Sequence, residues 1–68
     1  MTLGQYIRRK RQRRGDTQEQ AAKHVKVNVL TWGRWERGQL PTLAIAFRLA
    51  DYLGCRLDKL RRYVEQAN

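Results

Sequence analysis

Sixty-eight residues carry fifteen Lys and Arg against six Asp and Glu, a formal net charge of +9. Cys55 is the only cysteine and His24 the only histidine. A disulfide framework is therefore excluded, and a zinc site has too few soft ligands.

A chain this short buries only about 60% of its unfolded surface. We expect one domain over residues 1–68, built from well-packed helices or completed by a second copy. The charge excess favours a polyanionic partner, nucleic acid before an anionic membrane. A lone cysteine and no secretory or spanning segment point to a cytoplasmic setting.

The first helix is predicted over Leu3–Arg14. Thr2 is its N-cap, and Gln5 stands at the spacing of a capping box. Leu3 and Ile7 share its apolar face, with Tyr6 beside them. Arg8, Arg9, Lys10, Arg11, Arg13 and Arg14 make the rest basic, and Gly15 ends it. A few of these cations are expected near phosphate, the others only adding long-range field. The second helix, Gln18–Val25, repeats the capping-box pattern with Thr17 and Gln20. Ala21, Ala22 and Val25 form a narrow inward stripe that permits close approach of a neighbour.

The third helix is predicted over Val29–Arg37, capped by Asn28 and closed by Gly38. Val27 and Trp32 have hydrophobic-staple spacing. The fourth helix runs over Leu43–Leu53, introduced by Pro41 and Thr42 and ended by Gly54. Its repeat of Leu43, Ala46, Phe47, Ala50 and Leu53 reads as the strongest core face of the chain. A fifth helix begins near Leu57 or Asp58, with Leu60, Tyr63 and Val64 available to the core or to a second copy.

Only Lys26, Val27 and Asn28 separate helices two and three, so residues 17–37 form a helix-turn-helix candidate. At about 100° per residue, Trp32, Trp35 and Glu36 fall on one side of helix three. Val29, Leu30, Gly33, Arg34 and Arg37 fall on the other. A major groove accepts such a face: apolar side chains meet thymine methyl groups, and Arg34 can fork onto guanine O6 and N7. Gly33 costs about 1 kcal/mol relative to alanine in mid-helix. It reads either as close approach to DNA or as room made for Trp32.

The ordered set Leu3–Ile7, Arg11, Gly15-Asp16-Thr17-Gln18-Glu19-Gln20-Ala21-Ala22, Val25, Val27, Trp35-Glu36-Arg37-Gly38 and Leu40-Pro41-Thr42-Leu43 continues through Leu49-Ala50 and Leu53-Gly54 to Leu57-Asp58-Lys59-Leu60. It resembles the helix-turn-helix family of lambda-type phage repressors, Cro proteins and their bacterial relatives. The resemblance implies an all-α, five-helix lambda-repressor-like domain with helix three as the recognition helix. It places Val29, Leu30, Gly33 and Arg34 at base edges, and Thr17, Gln18, Asn28, Arg37 and Gln39 near the DNA backbone. Gln18 should also brace the recognition helix. Arg11 and Glu36 match an ion pair of the family and are expected to be architectural. The partner implied is double-stranded DNA with a pseudo-palindromic operator, bound by a homodimer; no cofactor, metal, membrane or small-molecule substrate is expected.

Four departures from the family pattern stand out. Ala21 replaces a usual leucine while Trp32 replaces isoleucine or valine, a small residue making room for a large one. Lys26 replaces the glycine of the turn, at roughly 1–2 kcal/mol if the turn stays left-handed. Val29 and Leu30 replace polar groups at the tip of the recognition helix, which shifts sequence choice toward methyl contacts and DNA shape.

Two rivals are weighed against a DNA-binding regulator. A membrane-active helix anchored by Trp32, Trp35 and Tyr6 is poorly served by a first helix with so few apolar residues. A protein-interaction module on the same scaffold, an antitoxin or adaptor, would use Val29 and Leu30 as a protein contact. An enzyme is not expected, because His24 has no acid or cysteine at a recognisable spacing and no paired carboxylates or phosphate loop occur. Cys55 stands where relatives place a small apolar residue, so it reads as packed.

Overall fold

A computed structural model describes the backbone of residues 1–67 and the side chains of residues 1–65. Asn68, the end of the expected domain, lies outside the described residues. Five helices follow one another: α1 (Leu3–Arg14), α2 (Gln18–Val25), α3 (Val29–Glu36), α4 (Leu43–Leu53) and α5 (Leu57–Ala67). No strand occurs among the described residues. The third helix stops one residue before the expected end, with Arg37 as its C-cap and Gly38 at φ 116°.

Local chemistry sets the boundaries. Thr2 and Thr17 each accept from the backbone N–H three residues on, and Gln5 and Gln20 side chains accept from the cap N–H in return. Both boxes satisfy helix-end donors that would otherwise need water. The Asn28 side chain accepts from the Thr31 N–H at 3.1 Å. Gly15 and Gly54 close α1 and α4 in the left-handed region, and Lys26 closes α2 there at φ 63°. Lysine therefore bears the cost that glycine would avoid in this turn.

The helices wrap one core. α2 packs on α3, α1 crosses α3, and α4 closes against α2 and α5. Trp32, Ile7, Leu49 and Val25 are its most deeply buried large side chains. The Trp32 ring lies 5.6 Å from that of Trp35 and meets Tyr52 edge-on at 5.4 Å, a geometry that adds to simple area burial. Ala21 and Ala22 are fully covered, as small residues beside so bulky a centre must be. α1 comes so close to the end of α3 that a Cβ on Gly4 would lie 2.7 Å from the Trp35 carbonyl oxygen. Only glycine fits there.

The fourth helix keeps Ala46, Ala50 and Leu53 of the expected face on the core but corrects the other two. Leu43 is 71% and Phe47 56% exposed, and the inward face is Leu49, Ala50, Tyr52 and Leu53. Tyr52 rotates the helix: its ring fills the core beside Trp32 while its hydroxyl donates to Asp16 at 2.7 Å. The aromatic body is buried without stranding its polar tip. In α5, Leu60 is buried, Tyr63 stacks on Tyr6 at 5.0 Å, and Val64 packs against the core. Of the two uses open to these residues, the described side chains complete the core. Cys55 is half-buried against it.

Candidate nucleic-acid interface

The α2–α3 pair presents one helix with two unlike sides. Trp32 and Trp35 are buried, whereas Val29, Leu30 and Arg34 are exposed. The inward side is fixed by polar bonds as well as by packing. Arg11 on α1 donates from Nε to Glu36 Oε2 at 2.6 Å and from Nη2 to Oε1 at 3.1 Å. Its remaining nitrogen donates to the Asp16 carbonyl at 3.1 Å. Gln18 donates to Glu36 Oε1 at 3.1 Å, and the Trp32 indole N–H donates to Oε2. Three helices thus converge on one carboxylate.

That convergence decides the ionisation of Glu36. Burial alone would push its carboxyl up, but hydrogen bonds from Arg11, Trp32 and Gln18 outweigh burial and hold it below the usual carboxylate range. Arg11 is correspondingly held above its ordinary value, chiefly by its hydrogen bonds to Glu36. The fork is bidentate and largely shielded from solvent, a geometry in which such pairs are strong and losing one partner is costly.

The remaining residues singled out by sequence fall around α3. Thr17 and Asn28 sit at helix N-termini, both exposed, with their side-chain oxygens already used as caps. Arg37 and Gln39 are exposed in the connection that leaves α3. Gly33 lies on the outward side by angle yet is buried. A Cβ there would come within 3.2 Å of the Arg37 guanidinium and 3.8 Å of Gln18 Oε1, so these two side chains roof it. His24 is exposed and tilted against the Tyr52 ring. No group of metal-ligating side chains occurs among the described residues.

A family whose description is helix-turn-helix matches residues 7–60. The chain belongs to the helix-turn-helix family of the Cro/C1 type. No curated protein and no solved structure matches it. With five helices and no strand among the described residues, this helix-turn-helix domain has the lambda-repressor-like fold. It is a DNA-binding regulator, of a family whose work is regulatory rather than catalytic. No helix among the described residues is long and apolar enough to cross a membrane.

Three supporting contacts escaped the sequence reading. Arg14 lies over the Tyr52 ring at 4.4 Å and donates to the Tyr52 carbonyl at 3.1 Å. Tyr52 reaches Asp16, just before α2. Arg48 on α4 donates to the Val25 carbonyl at 2.9 Å, satisfying an acceptor at the end of α2. Together they hold the helix-turn-helix from behind. Only the 3–4 spacing of Tyr52 with Leu49 and Arg48 hinted at them.

Proposed function

We propose that this helix-turn-helix regulator reads a pseudo-palindromic operator as a homodimer, with α3 in the major groove, and represses transcription by occluding a promoter. The observation that carries the reading is the division of α3 into a locked inner side and an exposed outer side of Val29, Leu30 and Arg34. Arg34 forks onto guanine, and Val29 and Leu30 cover thymine methyl groups. Thr17, Gln18, Asn28, Arg37 and Gln39 hold the sugar-phosphate backbone. When Arg37 turns to phosphate it opens the roof over Gly33, while Gln18 keeps its bond to Glu36, and the helix backbone can then approach the bases closely. Arg11 and Glu36 orient the helix and read nothing. Such a chain works in the cytoplasm on the nucleoid.

The outer strip of α4 suits the pairing of two copies. Two chains of charge +9 repel each other, so they must meet where cations are fewest. Exposed Leu43 and Phe47 lie there with Ala44, Arg48 on the same helix is tied to Val25, and Asp51 at the far end faces a groove with Arg14 and Lys26. Two-fold pairing sets the reading helices about 34 Å apart.

Selection of bound duplexes from a random library tests the reading. An enriched inverted repeat is expected, and Arg34→Ala should cost about 1–3 kcal/mol and relax one base pair. Salt-sensitive retention with no motif would overturn it. The protein-interaction alternative, favoured by the 65% exposure of Leu30, would then take its place.

A further inference from the structure

Much of the positive charge does not face the DNA-reading side. On α1, Gly4 and Arg11 point at α3. Arg9 and Arg13 lie about 160° around the helix from Arg11, and Lys10 about 100°. They point toward α5, where Lys59 lines the same groove and Arg62 the adjoining one. These five cations line two adjoining shallow grooves whose walls share Met1, Lys59 and Tyr63. Among the described residues the ion pairs are Arg11–Glu36, Arg14–Asp16 and Arg61–Glu65, and none involves the five. Asp58 sits at the rim, in a further groove that it shares with Arg56, Lys59 and Arg62, so one carboxylate stands against three cations there.

Like charges gathered this way repel, yet two of them are held in position. The Lys59 and Lys10 ammonium groups lie 4.8 and 5.8 Å from the centre of the Tyr6 ring. Tyr6 is itself stacked on Tyr63. Cation–π contact favours the lysines over the stacked pair of rings, which lowers the ordering that an arriving anion must supply. Exposed large apolar side chains are almost missing from this face, with Met1 the exception. A protein partner needs buried apolar anchors, whereas a phosphodiester backbone needs only positioned cations.

We propose that the α1–α5 face is a second DNA-backbone site, which seats a separate duplex segment without sequence preference while α3 holds the first. The protein then bridges two stretches of DNA. The proposal rests on the reading of α3 as a DNA reader. The bridging follows from the two sites pointing in nearly opposite directions from α1.

The test uses beads carrying the selected operator duplex, loaded with the full chain and then offered a labelled duplex of unrelated sequence. Wild type should capture the second duplex. Arg13→Gln with Arg62→Gln should lower that capture by about tenfold at physiological salt and flatten its log–log salt dependence by about 2. Affinity for the operator alone should stay nearly constant. Lys23→Gln with Arg61→Gln removes equal charge from other surfaces and should leave capture intact. Thermal melting of both double variants checks folding. Equal losses in both, or no capture by wild type, would overturn the second site. So would capture that follows Arg34→Ala but ignores Arg13 and Arg62, because two reading helices would then do the bridging. Blockage of the Arg13–Arg62 face by an acidic peptide at concentrations where free duplex does not compete would make the partner a protein. Failure to hold even the first duplex would sink the reading of α3, and the bridging with it.

Discussion

The corner formed by α1, α2 and α3 and the seam between α1 and α5 are held by different physics. In the corner, Glu36 accepts from Arg11, Gln18 and Trp32, so three helices are fixed by bonds with direction. At the seam, Leu60 is buried, Tyr63 stacks on Tyr6, and two lysines rest over the Tyr6 ring. None of the side-chain hydrogen bonds among the described residues joins α5 to another helix. Burial gives stability with little orientation, whereas a shared carboxylate gives orientation at the risk of a stranded charge. On the proposed reading α3 needs its angle defined, and the more demanding chemistry is found beside it.

The largest effect should come from breaking the corner. Glu36→Ala leaves the Arg11 guanidinium and the Trp32 indole N–H without their acceptor. A loss of about 3–5 kcal/mol in denaturant unfolding is expected. The same carboxylate sets an acid limit. Its folded pKa is depressed, so its contribution is complete above the unfolded value of about 4.3 and fades as pH falls through the folded value. Glu36→Gln should therefore be less stable at pH 7 but change less than wild type on acidification below about pH 4. Parallel curves for the two proteins would remove Glu36 from the acid response.

Leu60→Ala probes the seam. Truncating a buried leucine costs about 2–5 kcal/mol, and the lower part of that range is expected here because α5 packs on fewer neighbours and can settle inward. The discriminating feature is pH: the loss should be the same at pH 7 and pH 4, since no titrating bond is broken. A loss that shrinks in acid would mean that α5 supports the Glu36 cluster, and the contrast between the two regions would fail.

Sequence spacing anticipated what is local. Thr-x-x-Gln marked both capping boxes, and the angular count on helix three separated Trp32 and Trp35 from Leu30 and Arg34, because these depend on neighbours a few residues apart. Family resemblance singled out Arg11 and Glu36, which no local pattern connects. Of the expected α4 face Ala50 and Leu53 are buried, but Leu43 and Phe47 were misread because they fit the same helical repeat, while the hydroxyl of Tyr52 disguised a core residue. The partner that permits its burial, Asp16, is 36 positions away. Gly4 was invisible for the same reason: the carbonyl oxygens that forbid a side chain there belong to α3. Lys26 shows the opposite case, in which the turn kept its left-handed geometry despite the residue.

The smallest effect belongs to Tyr6, where the seam carries a flaw that the corner avoids. Its hydroxyl is buried with no well-formed hydrogen bond, only the weakly bonding Cys55 thiol beside it. Burial first, and then the neighbouring Cys55 thiol, push its ionisation up to about 12. An unsatisfied buried hydroxyl costs roughly 1–3 kcal/mol, a thiol relieves only part of that, and it is the ring that supplies the stacking on Tyr63. Tyr6→Phe keeps the ring and removes the flaw, so stability at pH 7 should rise by about 1 kcal/mol, or about 4–8 °C in Tm for a domain of this size. The gain should widen above pH 10. There the unfolded tyrosine releases its proton while the folded one holds it, so wild type loses stability that the variant does not. A fall in Tm at pH 7 would mean that the hydroxyl is satisfied after all. The seam would then possess a directed polar bond of its own.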